Sequence, residues 1–274
     1  MTLRALLRDL CPPLVWRWLA RLRGGRMIYR AGYPDWKAAE IRSGGYADPS
    51  ILARIEQATD AVVSGLAPAE RDGVLLTRRP MPFHLVAPML AAAMRKGGRL
   101  RVLDFGGSLG TQFRQCRPLL DAVASLDWIV VEQADFVRVG RARFEGDGLR
   151  FAASIEEALA NGDPDVVLLC SVVQFLPPDH PLFGYLARSA ATYLVVERTP
   201  FRNAGDDAIY VQEVPAAIYP ARYPMRALSH GRWLDETLAG WQLLHEESSS
   251  EGVAEASDGS TFDYRYQLLG SKRC

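Results

Sequence analysis

From residue 99 onward, short apolar runs rich in Val, Leu and Ile alternate with helix-like segments, and this rhythm is the strongest signal in the chain. Residues 100–105, 128–132, 149–152, 165–170 and 193–197 read as five strands. Runs that are apolar at nearly every position, rather than at alternate ones, belong to a parallel sheet covered on both faces. Two later runs, 241–245 and 262–269, are separated only by a polar stretch, Ser248 to Ser260, so an antiparallel hairpin is expected there. Between these groups, the Pro- and Tyr-rich stretch after Glu197 shows no period and is expected to be irregular. A helix capped by Ser229 and carrying Trp233, Leu234 and Leu238 should follow it.

Ahead of residue 99 the spacing is helical. Asp35 is placed to cap a short helix beginning at Trp36, which Gly44-Gly45 ends. Pro49 suits the first turn of a second helix carrying Ile51, Leu52, Ile55, Ala58 and Val62. A third runs from about Phe83 to Met94 and stops at Gly97-Gly98. The expected organisation is an N-terminal helical segment over 1–97, followed by a Rossmann-like α/β domain over 98–274. Its sheet should be mostly parallel, with an antiparallel last strand.

Composition narrows the partners. Hydrophobic residues at 49% and charged residues at 23% are ordinary for a globular chain. Thirty-two basic side chains balance thirty-two acidic ones, so no nucleic-acid partner is expected. Cys11, Cys116, Cys170 and Cys274 form no CxxC pair, which argues against zinc and disulfides and suits a reducing, cytoplasmic setting. No apolar run is long enough to span a bilayer. Within residues 1–30, however, Leu3, Leu6, Leu7 and Leu10, and then Leu14, Val15, Trp18, Leu19 and Leu22, form apolar helical faces. Seven arginines oppose one acid there, Asp9. Such a basic amphipathic segment suits either packing on the domain or peripheral contact with the inner face of an anionic membrane.

The chemistry centres on Val102-Leu-Asp-Phe-Gly-Gly-Ser-Leu-Gly110. A strand running into glycines before a helix lets a ligand approach the main chain and meet free amides. The glycines do not form the GxGxxG of dinucleotide sites. An acidic residue, Asp104, stands two positions before Gly106, where it repels a diphosphate but suits a cofactor carrying an ammonium and a sulfonium. Glu132 ends the next strand, the position that faces a ribose on such sheets. The plain alternative is that both carboxylates only cap helices.

Asp104, Gly106, Gly107, Gly110 and Glu132 together resemble the S-adenosylmethionine (SAM) site of class I methyltransferases, with Ser108 standing where the common motif has its middle glycine. Nearly the whole chain resembles a bacterial family of such enzymes. The resemblance rests on Tyr33-Pro-Asp-Trp-Lys-Ala-Ala39 with Gly45-Tyr46, on Leu103–Gly110, and on Val131-Glu-Gln133. It continues through Ser154–Leu159, Ser171–Leu176, Glu197-Arg-Thr-Pro-Phe201 and Ile218–Pro224. It implies SAM as cofactor, held by the turn with Ser108, Glu132 and Gln133, and an acceptor that is small or sugar-linked. Methylation at oxygen or nitrogen is expected.

Groups for the acceptor should follow the fourth and fifth strands. Main-chain carbonyls at Cys170 and Ser171 suit the methionine ammonium. Gln174, Arg198, Tyr219 and Tyr223 are candidates for the acceptor. Glu197 is the first choice of general base, with a salt bridge to Arg198 or Arg222 as its plain alternative, and His230 is the second. His84, in a helix, reads as packing, and His245 as remote. No cluster has metal-ligand spacing, and no GxSxG elbow is present. Two other classes stay open: a non-catalytic binding module on a methyltransferase-like fold, and an NAD(P)-type oxidoreductase, which Asp104 disfavours.

Overall fold

The computed structural model describes residues 27–43, 49–215 and 221–273. The amphipathic segment expected over 3–22 lies outside these residues, as do Gly45, Tyr46 and Tyr219. The chain divides into two compact units. The smaller comprises 1–48, 209–225 and 256–260, and the larger holds the rest.

In the larger unit, β4 (Arg99–Phe105), β5 (Ser125–Val131), β6 (Leu149–Ala152), β7 (Val166–Cys170) and β8 (Tyr193–Arg202) form a parallel sheet in the order β6-β5-β4-β7-β8. All five residues of β7 are buried, as its unbroken apolar run requires. β12 (Thr261–Ser271) adds to β8 antiparallel, and β11 (Trp241–Glu255) adds to β12. The late hairpin is therefore present, and it makes the last strand the antiparallel member of a Rossmann-like sheet. The chain winds outward from β4 to β6 and then returns to β7. The order thus reverses between β4 and β7, where sheets of this kind bind ligands. Helices α4 (Thr111–Cys116), α5 (Ala134–Arg143), α6 (Ile155–Leu159) and α7 (Pro181–Leu186) connect the strands. One apolar core joins Leu103, Ile129, Val167, Val196 and Trp233.

The remaining elements differ from the sequence reading in four places. Residues 49–97 pack within the larger unit, and they are not purely helical. Between α2 (Pro49–Val63) and α3 (Phe83–Arg95) lies a two-stranded hairpin, β2 (Ala69–Arg71) with β3 (Val74–Leu76). The Pro- and Tyr-rich stretch is not irregular: it contains β9 (Ala208–Val214) and β10 (Ala221–Ser229), and the end of β10 pairs with Phe201 and Arg202 of β8. The polar stretch from Ser248 is mostly strand. Main-chain pairing of β11 with β12 outweighs its poor side-chain propensity. Beyond Ser229 a single helical turn, His230–Arg232, continues as a π turn, Trp233–Thr237, and Ser229 makes no side-chain cap bond.

In the smaller unit, β1 (Ile28–Tyr33) runs antiparallel to β9. α1 (Trp36–Ile41) begins where expected: Asp35 accepts the Ala38 N–H at 2.8 Å. Tyr210 is buried and shares a hydrogen bond with Ser260.

Candidate functional site

The glycine turn after β4 is tied to the neighbouring strand, since the Gly106 N–H donates to the Val131 carbonyl at 2.9 Å. Gly106 and Gly110 take φ of +73° and +89°. A Cβ on Gly106 would stand 2.4 Å from Val172 Cγ2, so the chain itself, before any ligand, requires glycine there. A Cβ on Gly107 would stand 2.4 Å from Asp104 Oδ2, so the carboxylate lies directly beneath the turn. Ser108 adopts φ +56°, a conformation that costs an L residue about 1–2 kcal/mol. The motif's departure from glycine is thus accommodated by strain, and the turn keeps its shape.

Both carboxylates belong to this turn. Glu132 Oε1 accepts the Ser108 N–H at 3.2 Å, and Oε2 accepts the Gln133 N–H at 2.8 Å. Burial raises the Glu132 pKa, and those two hydrogen bonds work against the rise. Asp104 is fully buried and accepts the indole N–H of Trp128 at 3.1 Å, while its Oδ1 has no partner among the described residues. Burial pushes its pKa from the usual 3.8 up to about 7; the Trp128 bond opposes this and Glu132 adds to it. Neither acid caps a helix: the residue at the start of α5 is Gln133, which is exposed.

Across the switch point, Ser171 (φ +56°) donates its N–H to the Glu197 carbonyl at 2.8 Å, fixing the end of β7 to β8. Cys170 is buried, and burial raises its thiol pKa to about 11, so it is an inert packing thiol. Its sulfur accepts from Gln112 at 3.2 Å. Gln174, expected to meet the acceptor, is 1% exposed and instead braces the main chain, donating to Ser171 Oγ and to the Arg198 carbonyl.

A cavity of about 250 Å³ opens beside Cys170, with Gln112, His84, Glu197, Arg198 and Tyr266 in its wall. Three of these, Gln112, His84 and Tyr266, were missed in the sequence. His84, from the first turn of α3, places Nε2 at 3.4 Å from Glu197 Oε2, and the Tyr266 hydroxyl donates to the His84 carbonyl at 2.9 Å. A lone helical histidine has no sequence signal that separates it from a packed one, and Tyr266 is one of several alternating apolar positions in its strand. Glu197 pairs with neither Arg198 nor Arg222; among the described residues no group donates a hydrogen bond to its carboxylate.

His230, the second candidate base, is not in the cavity wall. Its Nε2 lies 2.7 Å from Glu246 Oε2, and its ring stands edge-on to Phe201, so its partners are structural. Tyr223 is buried, 2% exposed, and offers no open face to an acceptor. Among the described residues no group of His, Cys, Asp and Glu could hold a metal, and no helix is long and apolar enough to cross a membrane.

No family model and no curated protein matches the sequence. Several solved structures resemble the chain at low identity and with TM-scores of 0.43 or below. The N-terminal domain of EvdMO1, crystallised in the presence of SAH and D-fucose, is 16% identical over 83% of this chain and 97% of its own, with a TM-score of 0.43. The glycopeptide N-methyltransferase MtfA, complexed with sinefungin, is 14% identical over 68% and 93%, with a TM-score of 0.41. An S-adenosylmethionine-dependent methyltransferase from Clostridium acetobutylicum is 11% identical over 66% and 91%, with a TM-score of 0.37. Likeness at this level assigns no activity to this chain.

Proposed function

We propose that the chain is a SAM-dependent methyltransferase acting on an oxygen or nitrogen of a small or glycan-like acceptor held in the cavity beside β7 and β8. The observation that carries this reading is the placement of Glu132. It directly follows β5 against the turn of Gly106 to Gly110, and each of its oxygens accepts one main-chain N–H. A carboxylate oxygen has a second acceptor site, so both ribose hydroxyls of the cofactor have a place to donate. The donor set fits the rest of the cofactor as well. Asp104 Oδ1 is buried below the turn without a partner among the described residues, which favours a nearby cation and disfavours a diphosphate.

When bound, SAM supplies a methyl group on a positively charged sulfur. Glu132 and the turn would hold the adenosine side. The main-chain carbonyls at Cys170 and Ser171 would receive the methionine ammonium. On the acceptor side, Glu197 takes the proton of the attacking group, since its carboxylate is buried and accepts no hydrogen bond from the described residues. His84, 3.4 Å away and 40% exposed, then relays that proton toward solvent. Arg198 and Tyr266 shape the wall against which the acceptor lies. The test is transfer of labelled methyl from SAM into fractionated extracts, envelope and lipid fractions included, beside calorimetry with S-adenosylhomocysteine. Label in one fraction, lost with Glu197→Gln, is the expected result. No label together with no binding of S-adenosylhomocysteine refutes the reading.

A further inference from the structure

The cavity contains a matched pair of unused hydrogen-bonding groups on consecutive residues. The Glu197 carboxylate accepts no hydrogen bond from the described residues. Arg198, 8% exposed and held at φ +52°, makes one side-chain hydrogen bond among the described residues, and it goes to a sulfur, Cys170 Sγ at 3.8 Å. Its ion pairs are long, 3.5 Å to Asp72 and 3.7 Å to Glu251, outside hydrogen-bond geometry. A buried acceptor without a donor thus sits beside a buried donor without an oxygen acceptor, and both line the same cavity. Buried polar groups are ordinarily paired, so this arrangement points to a ligand that brings both partners.

Charge decides which ligand. The wall carries two guanidiniums, Arg71 and Arg198, and two carboxylates, Glu197 and Glu247. Both guanidiniums already face acids, Arg71 facing Glu251 at 3.4 Å and Arg198 facing Asp72 and Glu251. Glu197 faces His84 at 3.4 Å and Glu247 faces His245 at 3.8 Å. The two wall carboxylates thus have imidazoles rather than guanidiniums beside them, and an anionic ligand would meet them poorly compensated. The rest of the wall mixes apolar surface, Pro80, Met81 and Pro82, with the hydroxyl-bearing run Ser248 to Ser250. At about 250 Å³ the space is smaller than that which holds a drug-sized ligand.

Resting on the methyltransferase reading for the chemistry, we propose that the acceptor is a neutral ring polyol of about one sugar unit. One of its hydroxyls donates to Glu197 while a neighbouring oxygen accepts from Arg198. A hydroxyl is both donor and acceptor, so two adjacent hydroxyls satisfy both residues at once, which a carboxylate or phosphate cannot do. The hydroxyl on Glu197 is the one methylated. Its proton passes to the carboxylate as its oxygen forms the bond to the methyl carbon, and the sulfonium leaves as the neutral thioether.

The experiment is ligand-observed NMR on the full chain, with and without S-adenosylhomocysteine. The probes are the common neutral hexoses, deoxyhexoses and their methyl glycosides, beside the matching uronic acids and hexose phosphates. We expect saturable binding of at least one neutral sugar and about tenfold weaker binding of its anionic forms. Glu197→Gln and Arg198→Lys should each weaken the sugar about fivefold or more, with S-adenosylhomocysteine affinity unchanged. The isosteric Glu197→Gln keeps the test valid should Arg198→Lys not fold. Tighter binding of the anionic forms overturns the proposal, as does a chain that binds S-adenosylhomocysteine but none of the neutral sugars. A chain that binds sugar but not S-adenosylhomocysteine overturns the methyltransferase reading and leaves the polyol site standing.

Discussion

Replacing Gly106 by alanine separates two reasons for a glycine. The first is conformational. At φ +73° an L residue pays about 1–2 kcal/mol. The second is steric: the new methyl would stand 2.4 Å from Val172 Cγ2 and 2.8 Å from Val172 Cβ. Forcing a methyl into a packed contact of this kind costs about 1–3 kcal/mol. Gly106→Ala should therefore lose about 2–5 kcal/mol of unfolding free energy, the sum of those two ranges. Urea denaturation of four proteins reads both parts: the parent, Gly106→Ala, Val172→Ala and the double variant. Truncating Val172 removes Cγ2 but leaves φ untouched. Because Val172→Ala still leaves a Cβ 2.8 Å from the new methyl, the double-mutant cycle should return only part of the steric cost, about 1 kcal/mol of favourable coupling, and leave the conformational part in place. A Gly106→Ala protein within about 0.5 kcal/mol of the parent, or a coupling near zero, would refute the close approach of Val172 to the turn.

Other consequences follow from the carboxylates. Burial raises the Asp104 pKa from 3.8 to about 7, so between those values the folded chain keeps a proton that the unfolded chain has released. The associated stability is complete below 3.8 and is lost as pH rises through about 7, amounting to at most roughly 4 kcal/mol. Asp104→Asn should flatten that decline in denaturation curves taken across the window; an unchanged slope would place the titration elsewhere. Glu197→Gln should slow methyl transfer by about 10²–10⁴-fold where proton removal limits the rate. His84→Gln should slow it less, with S-adenosylhomocysteine affinity unaltered in both. A rate unaffected by either change would leave positioning alone as the mechanism.

The parts of the fold legible in the sequence are those that local pattern determines. β7 is a continuous apolar run, and β4, β5 and β8 each contain a shorter one, Val102-Leu103, Trp128–Val131 and Leu194–Val196. The burial of these runs on both faces is what such patterns mean. The glycines and Asp104 announced the turn because its conformation admits few other residues. β9 and β10 were hidden, in part because a proline inside a run argues against a strand, yet Pro224 lies within β10 and Pro200 within β8. The Ser- and Glu-rich half of β11 was hidden for another reason: it is largely exposed, and it is held by its register with β12 rather than by any apolar face. The site shows the same division. Glu132 sits one residue past a readable strand, whereas the meeting of His84 with Glu197, and of His230 with Glu246, depends on packing between elements far apart in the chain.

Calorimetric titration of the full chain with S-adenosylhomocysteine tests the central claim most directly, with Glu132→Ala as the paired variant. Hydrogen bonds to a charged acceptor contribute about 1.5–3 kcal/mol each. The account therefore predicts saturable binding at one site in the parent and binding at least about tenfold weaker in a folded Glu132→Ala protein. No binding by the parent, or an equal dissociation constant in the variant, would contradict it.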